Sequence, residues 1–440
     1  MRKIAFVCPE PCISGGVNVI FRHAMELARG GITVAIVCKT PVAAAHVGWH
    51  PIAEMADHPN LLWLDHNEAL SHRFDLAIAT WWRTFFDLWK VQADRYAYFV
   101  QSIESRFYPL EERVVRAAVD ATYEAPLGII TEARWIRDYF HRLHGRDAGL
   151  APNGIDKAIF TEIGDVISPR SPGRLRVLVE GALDAAFKNV PASIRLAREG
   201  GADEIWLLTP SAADTVEGID RVFSRIAQAQ VASVYRSCDV ILKLSLVEGM
   251  FGPPLEMFHC GGTAIVYNVT GHDEYIVHGR NALVAERHDE AAVVRFIRQL
   301  KDFPPFLEAL KANARDTAAQ WPDWPAATAQ FRDAMEKAAA NAAFDRDSLG
   351  RYSRRIWTLV EGSWRQAAPP PLGAAEQVLL ARAAEQVLLA RIDAIYRSSS
   401  WRLTRPLRGL SRAVRENGFA AMAAESALRQ FQTSLRNLWN

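Results

Sequence analysis

The sequence predicts an α/β protein of two successive parallel-sheet domains with a helical extension at the C-terminal end. Three observations carry this. Short apolar runs of strand length recur in both halves, separated by segments long enough for helices, as in a doubly wound sheet. Each half opens on such a run, 3–8 in the first and 176–179 in the second. Between the two series lies a stretch without periodicity, 161–174, containing Pro169, Pro172 and Gly173, which reads as a linker.

Composition narrows the partners. With 440 residues the chain can build two or three cores. The formal net charge is +1, so the chain as a whole is not built for polyanions, and nucleic acid is not an expected partner. Five cysteines, an odd number at scattered positions, suggest reduced thiols and a cytoplasmic setting. Cys8 and Cys12 have no matching pair elsewhere, so no metal site is expected. The N-terminal apolar run is cut off by Pro9 at strand length, which argues against a secretory signal. No apolar stretch of about 18 residues or more predicts a transmembrane helix.

In the first half the strand at 3–8 leads into a loop, then a helix over 17–29 that ends at Gly30-Gly31, then a strand at 33–38. Gly15-Gly16 stands at the entry to that helix. Further strands are expected at 61–64, 75–80, 96–100 and 128–131, with helices over 110–123 and 132–143. In open α/β sheets ligands bind at the carboxyl ends of strands. The ends here carry Thr80-Trp81-Trp82-Arg83 and Gln101-Ser102-Ile103-Glu104. Trp81 and Trp82 suit sugar stacking, although aromatic residues at such positions also pack under helices. Pro152-Asn-Gly-Ile-Asp156 is a turn that closes the first domain.

The second half continues with strands at 204–208, 240–244 and 263–267. Its densest signal is Glu248-Gly-Met-Phe-Gly-Pro-Pro-Leu-Glu256, between a buried strand and a helix. Gly249 and Gly252 permit close backbone approach, and Pro253 and Pro254 suit a first helical turn. Strand, glycine loop and helix N-terminus together make an anion site from free amides and the helix dipole. Glu248 in the loop can reach a neutral polyol, and Glu256 can accept from a second pair of hydroxyls. A sugar, a diphosphate and a ribose in one ligand would satisfy all these groups.

This stretch resembles the E-x7-E signature of family-4 retaining glycosyltransferases, which have two Rossmann-like domains facing a cleft, the GT-B fold. The resemblance covers about residues 1–336 in order. It implies that Glu248 contacts the donor sugar, Glu256 the nucleotide ribose, and the backbone of Gly249, Met250, Phe251 and Gly252 the diphosphate. It also implies that Gly15 and Gly16 lie at the cleft near the donor phosphates. Family members place Gly-Arg and a later Lys after the strand at 176–179. Lys188 matches the Lys, Ala182 replaces the Arg, and Lys243 is a candidate substitute. The histidine common in the N-terminal cleft of relatives is missing here. The run from Tyr98 to Pro109 resembles bacterial rhamnosyltransferases of surface-glycan synthesis, which points to Glu104 and Tyr108 as cleft residues.

The domains expected are 1–160, binding acceptor, 174–338, binding nucleotide sugar, and a helical tail over 339–440. Two identical nonapeptides at 374–382 and 383–391 form a helix over 373–397 that asks for a helical partner, or its own copy in a dimer. The segment 404–416 forms a basic amphipathic helix suited to an anionic membrane surface. The function implied is transfer of a hexosyl unit, rhamnose as first guess, from a nucleotide diphosphate sugar to a lipid-linked surface glycan, with retention and without a cofactor or metal. The setting implied is cytoplasmic, on the inner face of the membrane. The alternatives are an epimerase or hydrolase of nucleotide sugars with the same fold, and a non-catalytic scaffold of glycan assembly.

Overall fold

The computed structural model describes residues 1–42 and 44–366. The helix expected at 373–397 and the basic segment at 404–416 lie outside the described residues. The first half runs β1 (Lys3–Val7), α1 (Gly15–Arg29), β2 (Thr33–Cys38), α2 (Ala44–Val47), β3 (Leu61–Asp65), α3 (His66–Ala69) and β4 (Arg73–Ala79). It continues through α4 (Trp82–Phe85), β5 (Gln92–Val100), α5 (Arg113–Tyr123), β6 (Gly128–Thr131), α6 (Arg134–His144) and β7 (Ala148–Leu150). The seven strands are parallel in the order β3-β2-β1-β4-β5-β6-β7. Alternation places successive side chains on opposite faces. Ile4 and Phe6 join Val17 and Phe21 of α1 in one layer, while Ala5 and Val7 join Phe85 and Phe140 in the other.

The second half repeats the plan. It comprises β8 (Arg176–Glu180), α7 (Val190–Glu199), β9 (Glu204–Thr209), β10 (Arg221–Ser224), α8 (Gln228–Ser237), β11 (Val240–Lys243) and α9 (Gly252–His259). Then come β12 (Thr263–Tyr267), β13 (Leu283–Ala285), α10 (Glu290–Asp302) and α11 (Pro304–Gln320). The parallel order is β10-β9-β8-β11-β12-β13. In both sheets the order turns at the first strand, between β1 and β4 and between β8 and β11. Such crevices are where doubly wound sheets take ligands.

The chain then returns to the first domain. Trp324, Phe331 and Met335 of α12 (Trp324–Asn341) pack into the same layer as Phe6 and Phe21. Two glycines make room for this helix. A Cβ at Gly128 would stand 2.0 Å from the Ala338 carbonyl oxygen, and one at Gly149 2.8 Å from Ala334 Cβ. Leu349 and Ile356 of α13 (Arg346–Gln366) pack on the opposite face of the first sheet. The expected second domain of 174–338 is therefore corrected at its end, because the apolar stripe of α12 completes the first sheet. The first domain is corrected too: Ile155 and Phe160 belong to the second core.

The two crossings between domains lie side by side. Ile155 N donates to Pro322 O at 3.1 Å, and Trp321 Nε1 donates to Asn153 O at 2.8 Å. The linker is held down: Arg236 donates to the carbonyls of Ile159, Thr161 and Asp165, and Arg170 to those of Cys260 and Gly261. Among the described residues no helix is long and apolar enough to cross a membrane.

Candidate functional site

Glu180 ends β8 and Lys243 ends β11, and the pairing of Leu242 with Val179 sets these two ends side by side. Lys243 Nζ donates to Glu180 Oε2 and lies 3.5 Å from Glu248 Oε1. Lys188 Nζ donates to the same Glu248 oxygen at 2.8 Å. The site thus holds two cations and two carboxylates in alternation. Burial by itself would raise the Glu248 carboxyl, but Lys188 and Lys243 outweigh it and hold its pKa below the usual value. Burial likewise opposes the Lys243 charge, and Glu180 and Glu248 overcome it and raise that pKa.

Local backbone geometry delivers Lys188 to this point. Gly181 has φ 154°, and Asn189 takes the left-handed conformation at φ 54°, which asparagine tolerates. Leu246 N donates to Phe187 O at 2.7 Å, and Asn189 Nδ2 to Leu244 O at 3.2 Å. These bonds pin the loop after β8 to the loop after β11.

In loop 248–252, Thr270 Oγ1 donates to Glu248 O at 3.0 Å and the Tyr275 hydroxyl donates to Phe251 O. The Met250 and Phe251 side chains are buried in the second core, which leaves their backbone as the part expected to face the diphosphate. Two further amides are spoken for: Met250 N donates to Glu132 Oε1, and Gly252 N to Met250 O at 3.1 Å. Pro253 and Pro254 supply no N–H to the start of α9. Glu256 accepts from the Tyr235 hydroxyl at 3.1 Å, and burial raises its carboxyl to about 7.

The first domain meets this loop directly. Gly15 and Gly16 lie in the first turn of α1, capped by Ser14. A Cβ at Gly16 would be 3.4 Å from the Gln101 amide group, and one at Gly249 would be 1.8 Å from Gln101 O. Gln101 therefore sits between the α1 start and the donor-side loop. Trp135 Nε1 donates to Gly249 O at 2.9 Å. Glu274 accepts from Arg134 N at 2.7 Å, capping α6 from across the cleft. Phe107 stacks on Phe187 with ring centroids 4.8 Å apart. Arg22 of α1 pairs with Asp156 at 2.7 Å and donates to Gln228 of α8.

The candidates thus divide. Glu248, Lys188, Glu256, Gly249 and Gly252 lie together on the second domain, and Gly16 approaches them through Gln101. Lys243 lies in the same cluster but is 1% exposed and held by two carboxylates, so it is corrected from a ligand contact to a buried counter-ion. Glu104 is corrected from a cleft residue to a brace inside the first domain. It is 3% exposed, and its Oε2 accepts from Trp82 N and the Tyr98 hydroxyl, each at 2.8 Å. The Tyr108 hydroxyl is taken by Trp82 Nε1 at 3.1 Å, and Trp82 is buried. Trp81 is half-buried at the edge of that core with Arg83 over its ring at 5.0 Å. Among the described residues no group of three or more His, Cys, Asp and Glu stands ready to hold a metal ion.

Residues 215–317 match the family described as Glycosyl transferases group 1. Over 244 residues the chain is 24% identical to the O-antigen biosynthesis protein RfbC of Myxococcus xanthus, covering 52% of this chain and 18% of that protein. Over 182 residues it is 25% identical to the D-inositol 3-phosphate glycosyltransferase of Rhodococcus opacus, 40% of each. The chain therefore spans less than half the length of these curated relatives. Its fold is similar to that of sucrose-phosphate synthase from Thermosynechococcus elongatus (TM-score 0.60, 15% identity, 78% of this chain and 100% of that one). It is also similar to Anabaena HepE in complex with UDP-glucose (TM-score 0.60, 13% identity, 76% and 100%). At these identities the structural likeness is one of fold: two Rossmann-like parallel-sheet domains of GT-B type. The family match over residues 215–317 runs from the loop before β10 into α11, within the second of these domains.

Proposed function

We propose that the chain is a retaining glycosyltransferase that moves a hexosyl unit from a nucleoside diphosphate sugar to a hydroxyl of a lipid-linked surface glycan. The observation that carries this is the Lys188–Glu248 pair, 2.8 Å apart at the crevice where the second sheet's order turns, beside the start of α9. In this reading Lys188 turns toward the leaving diphosphate while Glu248 takes hydroxyls of the donor sugar. The amides of Gly249 and Phe251 face the phosphates. Glu256 accepts from the ribose in place of the Tyr235 hydroxyl. The bond from the anomeric carbon to the phosphate oxygen breaks, the bond to the acceptor oxygen forms on the same face, and the acceptor proton passes to the leaving phosphate. No protein nucleophile and no metal take part. The main task is to stabilise charge growing on the β-phosphate, which fixed cations and amides do in a water-poor crevice.

Support for a nucleotide-sugar donor comes from similarity in fold to Anabaena HepE, solved with UDP-glucose. Support for a surface glycan comes from the likeness to an O-antigen biosynthesis protein. The donor of first choice is dTDP-rhamnose, on the resemblance of the run ending at Pro109, and the enzyme works on the cytoplasmic face of the membrane. The test is release of nucleoside diphosphate from dTDP-rhamnose, UDP-glucose and a GDP-sugar, with and without membrane glycan. Release that requires the glycan, and an axial product linkage by NMR where the donor was axial, is the expected result. Release without any acceptor would replace this reading with a hydrolase or epimerase. Binding without any release would favour a scaffold.

A further inference from the structure

Glu132 follows the last residue of β6 and is 5% exposed. Its two carboxylate oxygens have separate donors. Oε1 accepts from Met250 N at 2.9 Å and Oε2 from Asn153 Nδ2 at 2.8 Å. Met250 belongs to the loop of the second domain, and Asn153 to the crossing whose carbonyl accepts from Trp321. One side chain therefore ties together the end of the first sheet, the hinge between domains and the donor-side loop. The neighbouring Trp135–Gly249 and Arg134–Glu274 bonds hold the same two surfaces together.

We infer that Glu132 is a positioning residue whose carboxylate fixes loop 248–252 against the first domain and the hinge, so that closing the cleft and shaping the donor site are one event. This rests on the reading of loop 248–252 as the donor loop. Both oxygens accept N–H bonds, so the carboxylate joins the loop and the hinge at once. Burial is the main cause that raises this carboxyl, to about 7, and Glu248 from the loop and Glu274 from beyond β12 add to it. The bonds from Met250 and Asn153 oppose the rise. The cations nearby are matched already, Arg134 with Glu274 and Lys188 and Lys243 with Glu248. A carboxyl whose pKa is raised in the clasp holds more protons there than when the clasp is open, so its titration does not loosen the clasp as pH falls, and the two N–H bonds carry the proposal.

A glutamine in place of Glu132 keeps the acceptor for Met250 N. Its amide can donate to Asn153 Oδ1, which is buried without a partner, if the Asn153 amide turns over. Hydrogen exchange of the segment 245–256 in the full chain without ligand tests this, at pH 8 and corrected for intrinsic exchange. Glu132→Gln is expected to keep the protection of wild type, and Glu132→Ala to exchange about tenfold faster, the scale of one charge-assisted hydrogen bond. Equal exchange in wild type and Glu132→Ala, or Glu132→Gln exchanging as fast as Glu132→Ala, overturns the proposal. Thermal shift of the same wild-type sample with dTDP, UDP and GDP reports on the donor reading by itself, because the exchange experiment contains no nucleotide.

Discussion

Lys188 and Glu248 neutralise one another, and Lys243 and Glu180 do the same one step deeper, so the crevice carries no surplus positive charge among these four. Lys188 is a partly buried cation hydrogen-bonded to the loop glutamate. Lys188→Ala is expected to lower kcat/KM by about 10²–10³, the usual cost of one preorganised charge-stabilising group. Initial rates with the donor that binds will check it. Glu104 makes a separate prediction about stability. Burial raises its folded pKa to about 8, against about 4.3 for an unfolded glutamate. Between those values the folded state holds more protons than the unfolded state, so Glu104 lowers stability progressively as pH rises through that window. Glu104→Gln keeps an oxygen that can accept from Trp82 N and the Tyr98 hydroxyl. Its melting temperature is expected to exceed that of wild type at pH 9 and to approach it at pH 5, with nucleotide binding unchanged. At this scale the loop 248–252 stood out in the sequence through its glycines and the prolines that follow, and it lies between β11 and α9 as expected. It did not show Glu132 or Glu180. Each stands at or just past the carboxyl end of a strand, which is the signal that could have found them, but their partners are 118 and 63 residues away.

The elements with long apolar runs were legible, and β1, β2, β6, β8, β11 and β12 lie where alternation and turn residues put them. The short edge strands β7 and β13, three residues each, and β10, four residues with an exposed start, carry too few side chains to show a period. The destination of helix α12 was not legible. Its apolar stripe is equally suited to either sheet, and the choice is made by Gly128 and Gly149, whose missing side chains admit it. Gly128→Ala is expected to push α12 off β6 and cost about 1–3 kcal/mol, as overpacking of a filled core does. Urea unfolding followed by tryptophan fluorescence will read the change in midpoint. An unchanged midpoint would mean that α12 does not rest on this strand.

Over the whole molecule, two doubly wound sheets face each other with their turning points toward a shared cleft, and the two chain crossings at 151–157 and 320–324 lie together on one side of it. That plan was readable from the order of the segments. The closure of the cleft was not, because it depends on pairs far apart in sequence, such as Arg22 with Gln228, Phe107 with Phe187 and Glu274 with Arg134. The central claim is that a nucleoside diphosphate sugar binds in the second sheet's crevice between Lys188, Glu248 and Glu256. Thermal shift with dTDP, UDP, GDP and their sugars, on wild type and Glu256→Ala, tests it most directly. One nucleotide is expected to raise the wild-type melting temperature selectively and to lose that effect in Glu256→Ala. A wild type that no nucleotide stabilises, or a Glu256→Ala variant stabilised as strongly as wild type, would contradict the claim.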